Sequence, residues 1–186
     1  PVFVRMIEQM VGEENFVKGL ALYHDKFKHS NATRNDWIEA MEEVSGLKLK
    51  KMAELWLKQT GYPVVYVKTK RDKNNFVIDL EQKSKFWILP IQIALVDSEG
   101  DDICSRLVIM DQNKMKVVFK NVNDVKFVSL NRGNSFYCKV DYEQDENELY
   151  VQVKLDKDIV SKYIAFYKLS DLEKMRLSQQ QLILLQ

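Results

Sequence analysis

Gly61-Tyr62-Pro63-Val64-Val65-Tyr66-Val67 is the stretch at which the reading of the chain changes. Gly61 can take the left-handed conformation that closes a helix, and Pro63 lacks the N–H a helix needs to continue. Tyr62, the residue before a proline, is pushed toward extended geometry. The next four residues are β-branched or aromatic, the composition of a strand. Helix is therefore predicted before this corner and strand after it.

Working back toward the N-terminus, apolar residues recur with a period near 3.6. Val4, Ile7 and Val11 share one face, and Gly12 supplies a stop. Phe16, Leu20, Tyr23 and Phe27 line one stripe of a second helix. Thr33 is an N-cap candidate with Asp36 placed to favour the helix dipole, and Trp37, Met41 and Val44 form the inner face of a third helix that ends at Gly46. Leu49, Met52, Ala53 and Trp56 repeat the pattern up to Gly61.

Working forward, the period becomes two. Asn74-Asn75 can turn, and Phe76, Ile78 and Leu80 alternate with Val77, Asp79 and Glu81, which gives a hairpin. Leu89, Ile91, Ile93 and Leu95 line another strand, whose Pro90 suggests an edge or bulge position. Further strands are predicted over 103–110, 115–119, 125–130, 136–142 and 149–155, separated by polar turns. Seven or eight short strands without intervening helices argue for two packed antiparallel sheets. After Asp156 the helical period returns with Ile159, Tyr163 and Phe166 on one face, and Ser170 with Glu173 makes a capping box for a last helix. The class is α+β, with an antiparallel β-sandwich between helical segments, divided as 1–61, 62–156 and 157–186.

The 28 basic residues nearly cancel the 27 acidic ones, so no general attraction to nucleic acid or anionic membrane is expected. No apolar run long enough to span a bilayer occurs, and the first residues lack the pattern of a signal peptide. Cys104 and Cys138 form neither a disulfide framework nor a C-x-x-C pair, which fits buried thiols in a reducing, cytoplasmic setting. Asn31-Ala32-Thr33 is a glycosylation sequon that would matter only in an exported parent; its simpler reading is a helix cap.

Catalytic machinery is not legible. His24 and His29 lie five positions apart, about 140° around a helix, and cannot chelate one metal as helical neighbours. The H-E-x-x-H pattern, a G-x-S-x-G elbow and a phosphate-cradling glycine loop are all missing from the sequence. Glu13-Glu14, Glu42-Glu43 and the cluster Lys48, Lys50 and Lys51 read as solvated helix faces. Catalytic residues and metal ligands are therefore assigned as none, and substrate-binding residues are unknown.

Several of these stretches taken together resemble the aminopeptidase N family of gluzincin zinc peptidases, which includes puromycin-sensitive aminopeptidase and the tricorn-interacting factors. The match begins with Val4-Arg5-Met6-Ile7, Gly12-Glu13-Glu14-Asn15-Phe16 and Lys18-Gly19-Leu20. Asn31-Ala32-Thr33, Asp36-Trp37, Ala40-Met41-Glu42, Ser45-Gly46, Met52, Trp56, Gln59 and the Gly-Tyr-Pro-Val corner follow in family order. Trp87-Ile88-Leu89-Pro90-Ile91 and Leu169-Ser170 with Leu172 and Leu177 extend it, while Cys138, Lys139 and Asp141 depart from the family pattern.

The resemblance implies a parent that removes N-terminal residues from peptides with a zinc-activated water, its zinc ligands and catalytic tyrosine lying upstream of Pro1. This chain would then hold the last helices of a thermolysin-like catalytic domain, the β-sandwich, and the first helices of a C-terminal domain. Zinc belongs to the parent and none is expected on this chain; its partners would be peptides and the rest of the same polypeptide. An independent β-sandwich protein-binding module is the rival, since sandwiches serve many functions.

Val2, Phe3, Val4, Met6, Ile7, Met10 and Val11 give the first helix more apolar surface than one inward stripe needs, and Leu182-Ile183-Leu184-Leu185 is too apolar for a solvated tail. Such ends favour self-association of the isolated chain. Sedimentation at micromolar concentration should show association, relieved when Leu182, Leu184 and Leu185 are changed to Ser; a wild-type chain that stays monomeric would refute this.

Overall fold

The computed structural model describes residues 2–184, with side-chain surroundings described through residue 176. The apolar stretch at Leu182-Ile183-Leu184-Leu185 lies outside the described side chains. Four helices come first: α1 (Val2–Val11), α2 (Glu13–Phe27), α3 (Arg34–Ser45) and α4 (Lys50–Lys58). Thr33 caps α3, accepting from the Asp36 N–H while the Asp36 carboxylate accepts from the Thr33 N–H, a reciprocal capping box. Gly46 ends α3 in the left-handed conformation at φ 71° and returns its N–H to the Glu42 carbonyl.

Two of the predicted stripes are rotated. On α2 the buried position is Gly19, where a Cβ would stand 2.5 Å from the Met41 sulfur, so α2 meets α3 through its glycine. Leu20 is consequently exposed, and Phe16, Tyr23 and Phe27 are half-buried. On α1, Met6, Ile7 and Val11 enter the core while Val2 and Val4 face outward. α4 stops at Lys58 rather than Gly61, and Gly61, at φ 98°, serves the turn into the first strand.

The β region holds seven strands among the described residues: β1 (Val64–Asp72), β2 (Asn75–Glu81), β3 (Leu89–Val96), β4 (Asp102–Met110), β5 (Lys114–Phe119), β6 (Phe127–Leu130) and β7 (Lys139–Tyr142). They form a four-stranded sheet, β5-β2-β1-β7, and a three-stranded sheet, β4-β3-β6. All pairs are antiparallel except one. β1 and β7 run parallel, Val64 opposite Lys139 and Val67 opposite Tyr142, in a sandwich that is otherwise antiparallel as expected. Pro90 lies on the central strand β3, not an edge. It is tolerated because β6 pairs only from Ile93 onward, leaving one side of β3 without a partner at Pro90, and the bulge falls at Leu95/Val96.

The eighth strand expected over 149–155 is helix α5 (Glu146–Leu155). Its alternating Leu149, Val151, Val153 and Leu155 imitate a strand, but the Asp145 carboxylate accepts from the Glu148 N–H at 2.7 Å and nucleates a helix instead. A last helix, α6 (Ile159–Leu184), runs through Ser170 without a break, so no capping box opens there. Asp158 starts it, its carboxylate accepting from the Ser161 N–H at 2.7 Å. The face that packs carries the small residues Ser161 and Ala165, while Ile159, Tyr163 and Phe166, expected to point inward, are 75%, 65% and 58% exposed.

The N-terminal helices and the sheets share one core, while Val151 and Leu155 of α5 pack on a separate small cluster of Ala94, Val96 and Phe127. Met6, Ile7, Met41, Leu49 and Met52 from the helices join Trp87, Leu89, Ile93 and Phe136 from the sandwich. The joint between them is the irregular segment 82–88. Buried Gln82 mimics a strand partner, donating to the Trp87 carbonyl at 2.9 Å and accepting from the Trp87 N–H at 3.0 Å. From α4, the Trp56 indole donates to the Ile88 carbonyl at 2.9 Å, and Gln59, just past the helix, donates to the Phe86 carbonyl at 3.0 Å. The rings of Trp56 and Trp87 lie 4.8 Å apart.

Replacing Gln82 with Leu orphans two buried backbone groups, and such a loss should destabilise the chain by about 2–4 kcal/mol. Trp56→Phe, which removes one hydrogen bond and some packing, should cost about 1 kcal/mol. Urea denaturation checks both as a lowered midpoint at unchanged m-value; equal effects for the two variants would contradict the assignment.

Candidate functional site

Apart from Gln82, the buried polar side chains of the described structure, among them Ser129, Asn131, Gln152, Asp156 and Ser161, gather where the open sides of β6 and β7 meet α5 and α6. A 3-10 turn, η1 (Arg132–Asn134), completes the wall. Between these elements lies a cavity of about 270 Å³ whose polar lining includes Asn131, Tyr142, Gln144, Gln152, Ser161 and Lys168.

Two hydrogen-bonded chains run through the site. In the first, the Tyr142 hydroxyl reaches Thr69 on β1 at 3.4 Å and donates to the Glu148 carboxylate at 2.9 Å. Gln144 donates to Glu148 and to Gln152, and Lys168 donates to the Gln144 side chain at 2.9 Å and to the Tyr142 carbonyl at 3.1 Å. In the second, Gln152 donates to the Asp156 carboxylate at 3.0 Å, which faces Arg132 at 3.6 Å. Arg132 in turn donates to Asp102 on β4 at 2.6 Å and to the Ser129 hydroxyl at 3.0 Å. These chains tie α5 and α6 to both sheets.

Burial dominates the electrostatics. Desolvation raises the Glu148 carboxyl above its ordinary range despite the hydrogen bonds it accepts. Desolvation likewise lowers the Lys168 ammonium, an effect that Glu148 and Asp141 offset in part. The Tyr142 hydroxyl is raised by desolvation and then by the neighbouring Glu148 charge. Burial also pushes the Cys138 thiol well up, so it is a poor thiolate nucleophile, and Cys104 is raised for the same reason. Perturbed acids and bases around a cavity are the pattern of an acid–base site. Here the bonds that Tyr142, Glu148 and Lys168 make hold helices to sheets.

None of these groups was legible as a site in the sequence. Tyr142 reads as a strand end and Glu148 as part of a turn; the one local signal is the Asp145–Glu148 cap. Of the groups weighed in the sequence, His24 and His29 are exposed. Glu14 pairs with Lys18 and Glu43 with Lys26, each at 2.6 Å. Glu42 does more than solvate a face: its carboxylate accepts from the N–H groups of Leu49 and Lys50 at 2.6 and 2.9 Å, capping the start of α4. Lys50 pairs with Glu39, and Lys51 lies over the Phe86 ring.

Among the described residues no three His, Cys, Asp or Glu side chains converge so as to hold a metal ion. No described helix is long and apolar enough to cross a membrane. Residues 2–56 match the model of the peptidase family M1 domain, and residues 61–143 match a domain of unknown function, DUF3458, described as having an Ig-like fold. The chain belongs to the M1 peptidase family. Among the relatives of this M1 chain, the puromycin-sensitive aminopeptidase of Caenorhabditis elegans is 30% identical over 152 residues, covering 76% of this chain and 16% of that protein. Aminopeptidase M1-D of Oryza sativa subsp. japonica is 31% identical over 163 residues, covering 85% and 18%. The crystal structure of Legionella pneumophila aminopeptidase A in complex with aspartic acid shares the fold, with a TM-score of 0.82 at 23% identity over 90% of this chain and 20% of that one. The M1 chain thus spans less than a fifth of the length of these two relatives.

Glu148 permits a pH test. Its folded-state pKa is raised above the ordinary value of 4.5, so its contribution to stability is complete below that value and is lost as pH rises through the folded-state pKa. Wild type should therefore hold its largest margin over Glu148→Gln below the ordinary carboxyl value of 4.5, and that margin should shrink as pH rises above it. Urea denaturation of both proteins below and above that value is the measurement, and a margin that stays flat or grows with pH would contradict it.

Proposed function

We propose that this chain is a non-catalytic part of a zinc-dependent aminopeptidase that trims N-terminal residues from peptides. Residues 62–156 act as a spacer between the end of the catalytic domain, 1–61, and the start of a helical domain, 157–186. The observation that carries this reading is the order of the two family matches: the M1 domain over 2–56 runs into the Ig-like domain over 61–143 with four residues between them. Support for the spacer role comes from the joints at both ends of the sandwich, where side chains of α4 and α6 donate to backbone carbonyls at Ile88 and Tyr142. Zinc belongs to the parent. Peptides and the remainder of the same polypeptide are the partners, nucleic acid and membrane are not, and the two free thiols suit the cytoplasm.

The purified chain, assayed on aminoacyl p-nitroanilides with and without added zinc, is expected to give no turnover above a blank preparation. Turnover that a chelator abolishes would overturn the non-catalytic assignment. In the full-length protein, Gln82→Leu should leave bound zinc in place and lower peptide turnover; unchanged turnover, or loss of the zinc, would count against a spacer.

A further inference from the structure

Gly133 stands between two helices far apart in sequence. Its carbonyl accepts from the Arg5 guanidinium of α1 at 2.9 Å, and its N–H donates to the Asp158 carboxylate at the start of α6 at 2.8 Å. The two bonds leave the peptide groups on either side of a single Cα, held in the left-handed region at φ 65°. The other oxygen of the same Asp158 carboxylate caps α6 through the Ser161 N–H. The first turn of α6 and the η1 turn are therefore fixed to one another by one side chain.

The loop has little freedom to absorb a displacement. Asn131, itself left-handed at φ 55°, donates its backbone N–H to the Gln92 carbonyl of β3 at 2.8 Å. Its side chain accepts from the Ser135 hydroxyl and the Phe136 N–H and donates to the Phe136 carbonyl at 3.0 Å. Asn131 and Ser135 are buried, and Phe136 is a core residue. Arg132 adds the links to Asp102, Ser129 and Asp156 already described. Asp156 accepts from the Asp158 N–H at 3.0 Å, so the two acids of the α5–α6 connection grip adjacent residues of one stiff loop.

We infer that the 131–135 loop is a conformational coupler, through which the setting of α1 and the setting of α6 are read by each other at Gly133. A rigid element held at both ends transmits displacement where a flexible one would dissipate it, and such coupling is reciprocal. It is a property of this chain and does not depend on the spacer role proposed above.

Amide hydrogen exchange of the whole chain tests it. Arg5 is exposed, so Arg5→Ala should fold. Coupling predicts that this variant speeds exchange at residues 161–165 of α6 by about threefold or more, as local opening there becomes easier. The control Lys18→Ala removes an exposed pair on α2 and should leave 161–165 unchanged. In the other direction, Asp158→Asn should speed exchange at the core amides of Met6 and Ile7. Effects of Arg5→Ala confined to α1 and the loop, or equal effects of the Lys18 control on α6, would overturn the inference. Should Asp158→Asn fail to fold, the Arg5 and Lys18 variants decide the matter alone.

Discussion

An irregular segment buried between two layers must find partners for its own backbone, because a peptide N–H or C=O shut away from water without one is a heavy loss. Residues 82–88 are that segment, and the seating of the helices on the sandwich depends on how it is satisfied. Gln82 serves the Trp87 peptide groups, while Trp56 and Gln59 reach across from the end of α4 to the carbonyls of Ile88 and Phe86. Apolar burial around Met52, Trp87 and Leu89 supplies the driving force; these polar bonds choose the one arrangement in which it can be realised. Lys85 extends the pattern, donating to the Thr60 carbonyl. The residues through which the sequence resembles its family at this joint, Trp56, Gln59 and Trp87-Ile88, are the ones that meet there.

How legible was this in the sequence? The corner at Gly61–Pro63 separates helix from strand because proline and glycine act locally, and the structure keeps that division. The first seven strands follow from alternation and turn residues for the same reason. Failures occur where long-range packing or a single cap outweighs period. Residues 149–155 alternate like a strand, yet Asp145 fixes a helix. Gly19 turns α2 so that Leu20 faces out, a preference that depends on the position of Met41 on another helix. The parallel pairing of β1 with β7 joins residues about 75 apart in sequence and has no local signature. The Tyr142–Glu148–Gln144–Lys168 chain was illegible for a like reason, since its members come from a strand end, two helices and the loop between them.

Half-buried charge in this chain serves construction. Glu148 and Lys168 are both held away from their ordinary pKa by desolvation, a state that adds little net stability. What such groups add is selectivity, since an α6 shifted by one turn would leave Lys168 without its acceptors on Tyr142 and Gln144. This explains why perturbed pKa values, ordinarily a pointer to catalysis, here coincide with a structural joint between sheet and helix. The outward apolar face of α6, with Ile159, Tyr163 and Phe166, shows the other half of the same design: small residues pack inward, and large ones are presented outward.

The parallel pairing of β1 and β7 has a mechanical meaning. Val64, where the chain enters the sandwich, lies opposite Lys139, and Val67 lies opposite Tyr142, where it leaves. Entry and exit are therefore at opposite ends of two hydrogen-bonded neighbours. A pull applied between them draws the two strands past one another along their length, so the rungs of the ladder share the load and must yield together. In an antiparallel pair the same pull would open the rungs one at a time, like a zipper. A sandwich threaded in this way resists being stretched along its axis, as a tie rod does.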